Sequence, residues 1–176
     1  MRKLLIKGAF EIISKPNQDE RGYFLNLFRS YDNTFKNFSE NFVISQINLS
    51  HNLKVGTLRG LHYQKKPFEE AKFIRCIKGK VWDVIVDLRE ESETFLKWYA
   101  VELSEKVNNG VFIPKGCAHG FQVIEKESQL LYFHSGKWVP EAEKGIKWDD
   151  KTLQINWPLK PSIISSRDSN LPYLSL

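Results

Sequence analysis

No stretch of this chain keeps its apolar residues in line over helical lengths. They fall in short runs of roughly four to eight residues, which Gly, Asn or Pro interrupts, as in chains of short β-strands joined by turns. Such runs cover Phe42 to Leu49, Ala71 to Ile77, Lys80 to Leu88, Trp98 to Leu103, Gly110 to Ile113, Ala118 to Ile124 and Ser128 to His134. Their spacing predicts a mainly β fold, a sandwich or closed barrel. Residues 3–14 add two short apolar segments, and Arg21 to Phe28 reads as a strand entered through a turn at Gly22. Lys78-Gly79 reads as a tight hairpin turn. Helical spacing is confined to Ser30 to Phe38, with Tyr31, Phe35 and Phe38, and to a short piece near Trp148 to Leu153. At 176 residues the chain fits a single domain spanning 1–176, and the segment from Lys137 onwards reads as a strap across the barrel.

The net charge of +5 and pI near 9.1 raise the question of nucleic acid. Basic residues alternate with acids, as in Lys65-Lys66-Pro67-Phe68-Glu69-Glu70, and form no basic run, so no nucleic-acid partner is expected. A modest excess of positive charge suits a small anion such as a diphosphate equally well. No run is long enough to span a membrane, and the apolar stretch near Met1 is too short for a signal peptide, which predicts a cytoplasmic protein. Cys76 and Cys117 lack the spacing of a zinc or redox motif and read as reduced packing thiols.

Within this β cadence, Leu58-Arg59-Gly60-Leu61-His62-Tyr63-Gln64 sets a guanidinium and an imidazole around a glycine. In a regular strand Arg59 and His62 would point to opposite faces; Gly60 tolerates the backbone that brings both to one cavity. The stretch also suits a strand with a surface arginine and a hydrogen-bonded core histidine. Alternation over the earlier strand puts Ile44, Gln46, Asn48 and Ser50 on one face, a polar row that either meets water or lines a pocket. Asp83 and Asp87 share an apolar-flanked face and need water or partners, because an unpaired buried carboxylate is costly.

Further marks run along nearly the whole chain: Asp19 to Phe24, Gln46 to Ser50, Lys72, Gly79 to Arg89, Ser92 to Phe95, Ile113 to Phe121, Tyr132, Trp157-Pro158 and Ser166-Arg167-Asp168. Together and in this order they resemble the dTDP-4-dehydrorhamnose 3,5-epimerases, sugar-nucleotide enzymes with a cupin-type jelly roll. The resemblance implies an isomerase that removes a proton beside the ketone of a nucleotide-linked 4-keto-6-deoxyhexose and restores it on the other face, through an enolate. It implies His62 as base, Asp168 as its orienting partner, Tyr132 on the opposite side, and Lys72 stabilising the oxyanion with His119 nearby. Around nucleotide and diphosphate it sets Arg21, Gln46, Asn48, Arg59 and Glu143, with Arg167 where lysine is usual. Asp83 is expected at the cavity wall, orienting a histidine or holding a hydroxyl. A homodimer is implied as well, with Arg21 reaching the partner's cavity.

Three positions depart from the family pattern. Asn26 stands where a carboxylate usually lies near base and ribose. Trp138, in Lys137-Trp138-Val139-Pro140, replaces the usual tyrosine-bearing segment that positions the sugar, which leaves a single-site 3- or 5-epimerase as the alternative. Lys151 replaces a common proline in a loop. Cupin barrels that hold a metal use a His-x-His pair; His62 is followed by Tyr63-Gln64 and His119 by Gly120-Phe121, so neither metal nor cofactor is expected. A silent sugar-nucleotide binder would need no His62, Asp168 and Tyr132 set. His51 and His134 have no family counterpart and read as structural.

Overall fold

The structure, a computed structural model, describes residues 1–30 and 42–175; the helix expected over Ser30 to Phe38 falls largely outside them. The strands are β1 (Arg2–Lys3), β2 (Phe10–Ile13), β3 (Asn17–Asp19), β4 (Gly22–Phe24), β5 (Gln46–Asn52), β6 (Thr57–Gln64) and β7 (Lys72–Lys78). They continue as β8 (Lys80–Asp87), β9 (Trp98–Ser104), β10 (Asn109–Ile113), β11 (Cys117–Val123), β12 (Ser128–His134), β13 (Glu143–Gly145) and β14 (Ile163–Ile164), followed by a single-turn helix, α1 (Ser166–Ser169). Among the described residues no helix is long and apolar enough to cross a membrane.

Two sheets face each other. One runs β1-β2-β10-β7-β12-β5, the other β13-β6-β11-β8-β9 with β14 joining β6 in parallel, while β3 and β4 pair only with each other. From β5 to β8 every connection crosses from one sheet to the other, the winding of a cupin-type jelly roll. This corrects the reading of Lys78-Gly79: β7 and β8 lie in different sheets, so these residues carry the crossing and make no hairpin. Gly79 has φ +73, and the Ser128 hydroxyl, which accepts from the Lys80 amide at 3.0 Å, leaves no room for a β-carbon. A crossing and a hairpin share that local signature; only distant pairing separates them.

Two other expectations change. The strand expected from Phe42 begins at Gln46, and the one from Arg21 shrinks to β4. Trp148 to Leu153 forms turns, because Asp150 Oδ1 accepts from the amides of Thr152 and Leu153 at 2.9 and 3.0 Å, competing with a helix.

Strand alternation sorts the apolar residues into three clusters. Ile74, Ile85, Val111, Phe121 and Leu130 fill the space between the sheets. Leu61, Val84, Val86 and Ala118 face outward from the second sheet, where Ile146, Leu153 and Trp157 of the tail cover them. Phe73, Phe112 and Phe133 face outward from the first, against Phe28 and Phe42. Burying one such side chain contributes about 1.5–3 kcal/mol. Both sheets are therefore fixed from outside, and the space between them is left to a second use at one end.

Candidate active site

Opposite β11, His62 pairs with His119 and Arg59 with Phe121, so β6 takes three steps where β11 takes two. The surplus falls at Gly60, whose φ is +119 and where a β-carbon would lie 2.6 Å from Gly120 Cα. This bulge settles the two readings of the stretch: Arg59 and His62 share the inner face, and Leu61 packs outward under the tail.

The inner faces enclose a cavity of about 660 Å³, a size typical of ligand sites. Arg59, His62 and His119 line it from the second sheet; Gln46, Asn48, Ser50, Lys72 and Tyr132 line it from the first. Trp138, Glu143, Arg167 and Asp168 come from the tail. The polar row of β5 therefore lines a pocket. Of the site residues expected from the sequence, Arg21 and Asp83 do not line the cavity, nor does Asn26, the position expected near base and ribose. Arg21 stands on the β3–β4 hairpin, 85% exposed and paired with Asp19. Asp83 is fully buried behind His119.

Two histidine–carboxylate pairs organise the second sheet's wall. His62 Nε2 meets Asp168 Oδ1 at 2.8 Å, while Asp168 Oδ2 accepts from the Gly60 amide at 3.0 Å. The Ser165 hydroxyl caps α1 by accepting from the Asp168 amide, which sets the carboxylate's position. Burial alone would raise the Asp168 carboxyl, but the His62 and Gly60 bonds outweigh it and hold the group below its ordinary value. His119 Nε2 meets Asp83 Oδ2 at 2.7 Å. There burial wins, and the Asp83 carboxyl is pushed up against the pull of His119 and Lys72.

Across the cavity, burial pushes the Tyr132 phenol up, with the Ser50 hydroxyl only partly offsetting it. The ring therefore stays protonated at neutral pH. It meets His119 edge-on at 6.1 Å between centroids. At the rim Glu143 accepts from Trp138 Nε1 at 2.8 Å and pairs with Arg167 at 2.9 Å. Burial raises the Glu143 carboxyl, but these two donors leave it lowered overall. Arg59 spends Nε on Asn52 Oδ1 at 2.8 Å and keeps its terminal nitrogens without a partner among the described residues. Such cationic groups on one side and an imidazole and a phenol facing each other across the middle suit an anionic ligand with a reactive carbon. Among the described residues no group of three or more His, Cys, Asp and Glu could hold a metal ion.

Two ionisable lining residues escaped the sequence reading. His134, read there as structural, lines the cavity two positions beyond Tyr132, as strand parity requires. Glu70 lines it from a loop, where no period points the way.

Known proteins share this sequence pattern and this fold. The dTDP-4-dehydrorhamnose 3,5-epimerase of Shigella flexneri is 40% identical over 158 residues, covering 86% of this chain and 83% of that protein. The Legionella pneumophila dTDP-6-deoxy-D-glucose-3,5-epimerase, solved with dTDP-4-keto-L-rhamnose, superposes with a TM-score of 0.90 at 33% identity, covering 98% of this chain and 90% of that one. A 3'-monoepimerase of Streptomyces bikiniensis, solved with dTDP-quinovose, gives 0.89 at 31% identity, with 98% and 87% covered. The sequence model described as dTDP-4-dehydrorhamnose 3,5-epimerase matches residues 3–175, and the chain belongs to that family.

Proposed function

We propose that this protein epimerises a dTDP-linked 4-keto-6-deoxyhexose, converting dTDP-4-dehydro-6-deoxy-D-glucose to dTDP-4-dehydro-L-rhamnose by inverting carbons 3 and 5. One observation carries this reading: the His62 imidazole and the Tyr132 phenol stand on opposite sheets across one cavity. Inversion needs a proton removed from one face of the sugar and delivered to the other.

In this reading His62, oriented by Asp168, takes the proton from the carbon beside the ketone. The C–H electron pair becomes a C=C bond and the ketone oxygen becomes an enolate oxygen, to which Lys72 donates. Tyr132 gives its proton to the opposite face of the carbon as the ketone re-forms; His62 then releases its proton to water and the phenolate takes one from water, and the same steps repeat at the second carbon. Positioned acid–base groups supply about 10²–10⁴-fold, too little alone for a weak carbon acid. A preorganised donor on the oxyanion adds roughly 3–4 kcal/mol, the part assigned to Lys72. His119, backed by Asp83, lies beside Tyr132 at the same end. Arg59, Gln46 and Asn48 hold the diphosphate and nucleotide, joined by Arg167 and Glu143 at the rim. Neither cofactor nor metal takes part in this scheme.

The active form is a homodimer in which the β3–β4 hairpin brings Arg21 to the partner's cavity; Tyr23 and Phe24 on that hairpin are 69% and 67% exposed and suit such a contact. A cytoplasmic location accords with two free buried cysteines.

A second reading, inversion at one carbon only, is favoured by Trp138. Its single N–H is already given to Glu143, so the side chain has no proton to offer the sugar. Incubation with dTDP-4-keto-6-deoxyglucose in deuterated water, with a 4-keto reductase to trap product, separates the two. Deuterium at both carbons with a trapped L-rhamnose nucleotide supports the main reading, label at one carbon the second, and no label refutes both.

A further inference from the structure

Glu70 and His134 belong to the cavity wall but to none of the roles above. His134 stands directly across from Lys72 on β7 and from Gln46 on β5, and two residues along β12 from Tyr132, so these side chains share one face. Its ring stacks on Tyr132, with centroids 5.9 Å apart and planes 22° from parallel. Glu70 enters from the loop before β7 and divides its carboxylate between two neighbours. Oε1 lies 3.5 Å from Lys72 Nζ, and Oε2 lies 3.1 Å from His134 Nδ1. The His134 and Glu70 side chains are only 10% and 8% exposed. On the far side His134 Nε2 meets the Asn48 amide nitrogen at 3.4 Å. With that amide donating, Nε2 accepts and the ring proton sits on Nδ1, beside Glu70 Oε2 but not hydrogen-bonded to it.

A carboxylate free to approach a lysine closes to about 2.7–2.9 Å and occupies the ammonium's donors. The 3.5 Å separation shows Glu70 held short of that. His134 Nδ1 lies against the second oxygen at 3.1 Å without a hydrogen bond to it, and Lys72 is attracted without being closed upon. The lysine stem is long and flexible, and a donor already in place stabilises an oxyanion better than one that must be gathered during the reaction. Resting on the epimerase reading above, we infer that Glu70 and His134 are positioning residues for Lys72. They fix its ammonium where the ketone oxygen gathers charge, and His134 steadies the Tyr132 ring beside it.

Glu70→Gln keeps the shape and removes the charge; His134→Phe keeps a ring on Tyr132 and removes Nδ1. Kinetics with the trapping reductase, and dTDP affinity by calorimetry, are measured for each variant and for both together. The expected result is a kcat lowered about tenfold or more in E70Q and several-fold in H134F, with KM within about twofold and dTDP affinity unchanged. The double variant is no slower than E70Q, because a single device has been removed. A purely structural role would lower dTDP affinity and melting temperature together with kcat, and overturns the inference. So does a rise in KM at constant kcat, or a double variant slowed by the product of the two effects. If E70Q does not fold, H134F carries the same kcat-against-KM test. Wild-type protein that exchanges no sugar proton overturns the epimerase reading and this inference with it; active wild type with full-rate E70Q and H134F overturns the inference alone.

Discussion

Replacing Asp168 with Asn exchanges one oxygen for an amide nitrogen at almost constant volume, yet both oxygens are committed. Oδ2 accepts from the Gly60 amide at 3.0 Å and Oδ1 meets His62 Nε2 at 2.8 Å. An asparagine keeps one acceptor. If its oxygen stays on Gly60, its NH₂ turns to His62, and Nε2 must accept. The ring proton then moves to Nδ1, which has no hydrogen-bond partner among the described residues. The neutral imidazole loses its basic nitrogen toward the substrate. The reverse orientation sets two N–H donors against each other at Gly60, about 1–3 kcal/mol worse. Loss of a general base costs about 10²–10⁴-fold, roughly 3–5.5 kcal/mol on the barrier. Deuterium uptake at carbons 3 and 5, followed by NMR, should therefore fall at least about a hundredfold, with the dTDP dissociation constant within about threefold of wild type. A D168N protein that exchanges at more than a third of the wild-type rate, or that loses affinity in step with rate, refutes the orienting role.

Tyr132→Phe should preserve part of the first proton removal while nearly abolishing trapped inverted product; equal loss of both, read in the same deuterium experiment, would mean the phenol acts elsewhere. Gly60→Ala would press a β-carbon to 2.6 Å from Gly120 Cα and 2.8 Å from the His119 carbonyl at a φ of +119. Overpacking of about 1–3 kcal/mol corresponds to a melting point lower by roughly 2–12 °C, and an unshifted calorimetric transition would contradict the bulge. Burial would raise the Asp87 carboxyl, but Arg89, Ser92 and Thr94 all donate to it and bring it down to about 2. Since the folded state favours the carboxylate, that stabilisation, roughly 2 kcal/mol, is whole above about pH 4 and fades as pH falls toward 2. Asp87→Asn should flatten the pH dependence of chemical denaturation in that window, and an unchanged slope would refute the assignment.

The strands were legible because the period of two repeats several times between turn residues, as in β12, whose limits match the sequence reading. The same period placed Gln46, Asn48 and Ser50 together, and the structure chose the pocket over water. What escaped were relations between distant parts. Lys78-Gly79 looks alike as a hairpin or a crossing, and the turns of Asp150 imitate a helical stretch. His134 was within reach of parity, two residues from Tyr132, but was set aside for want of a counterpart. Glu70 sits in a loop, and Asp168 reaches His62 across 106 residues, so only the resemblance joined that pair before the fold did.

The bulge in β6 also constrains how such a chain can change over generations. In a loop a gained or lost residue changes only its length; in a strand it decides which face the next side chain takes. Pairing Arg59 to His62 with β11 residue for residue, without the bulge, would exchange the faces beyond Gly60, carrying His62 beneath Ile146 and bringing Leu61 into the cavity. The outline would survive with an apolar patch where the imidazole stood. Side chains around the cavity can be replaced one at a time, but the extra residue of this strand and the glycine that absorbs it have to be inherited together.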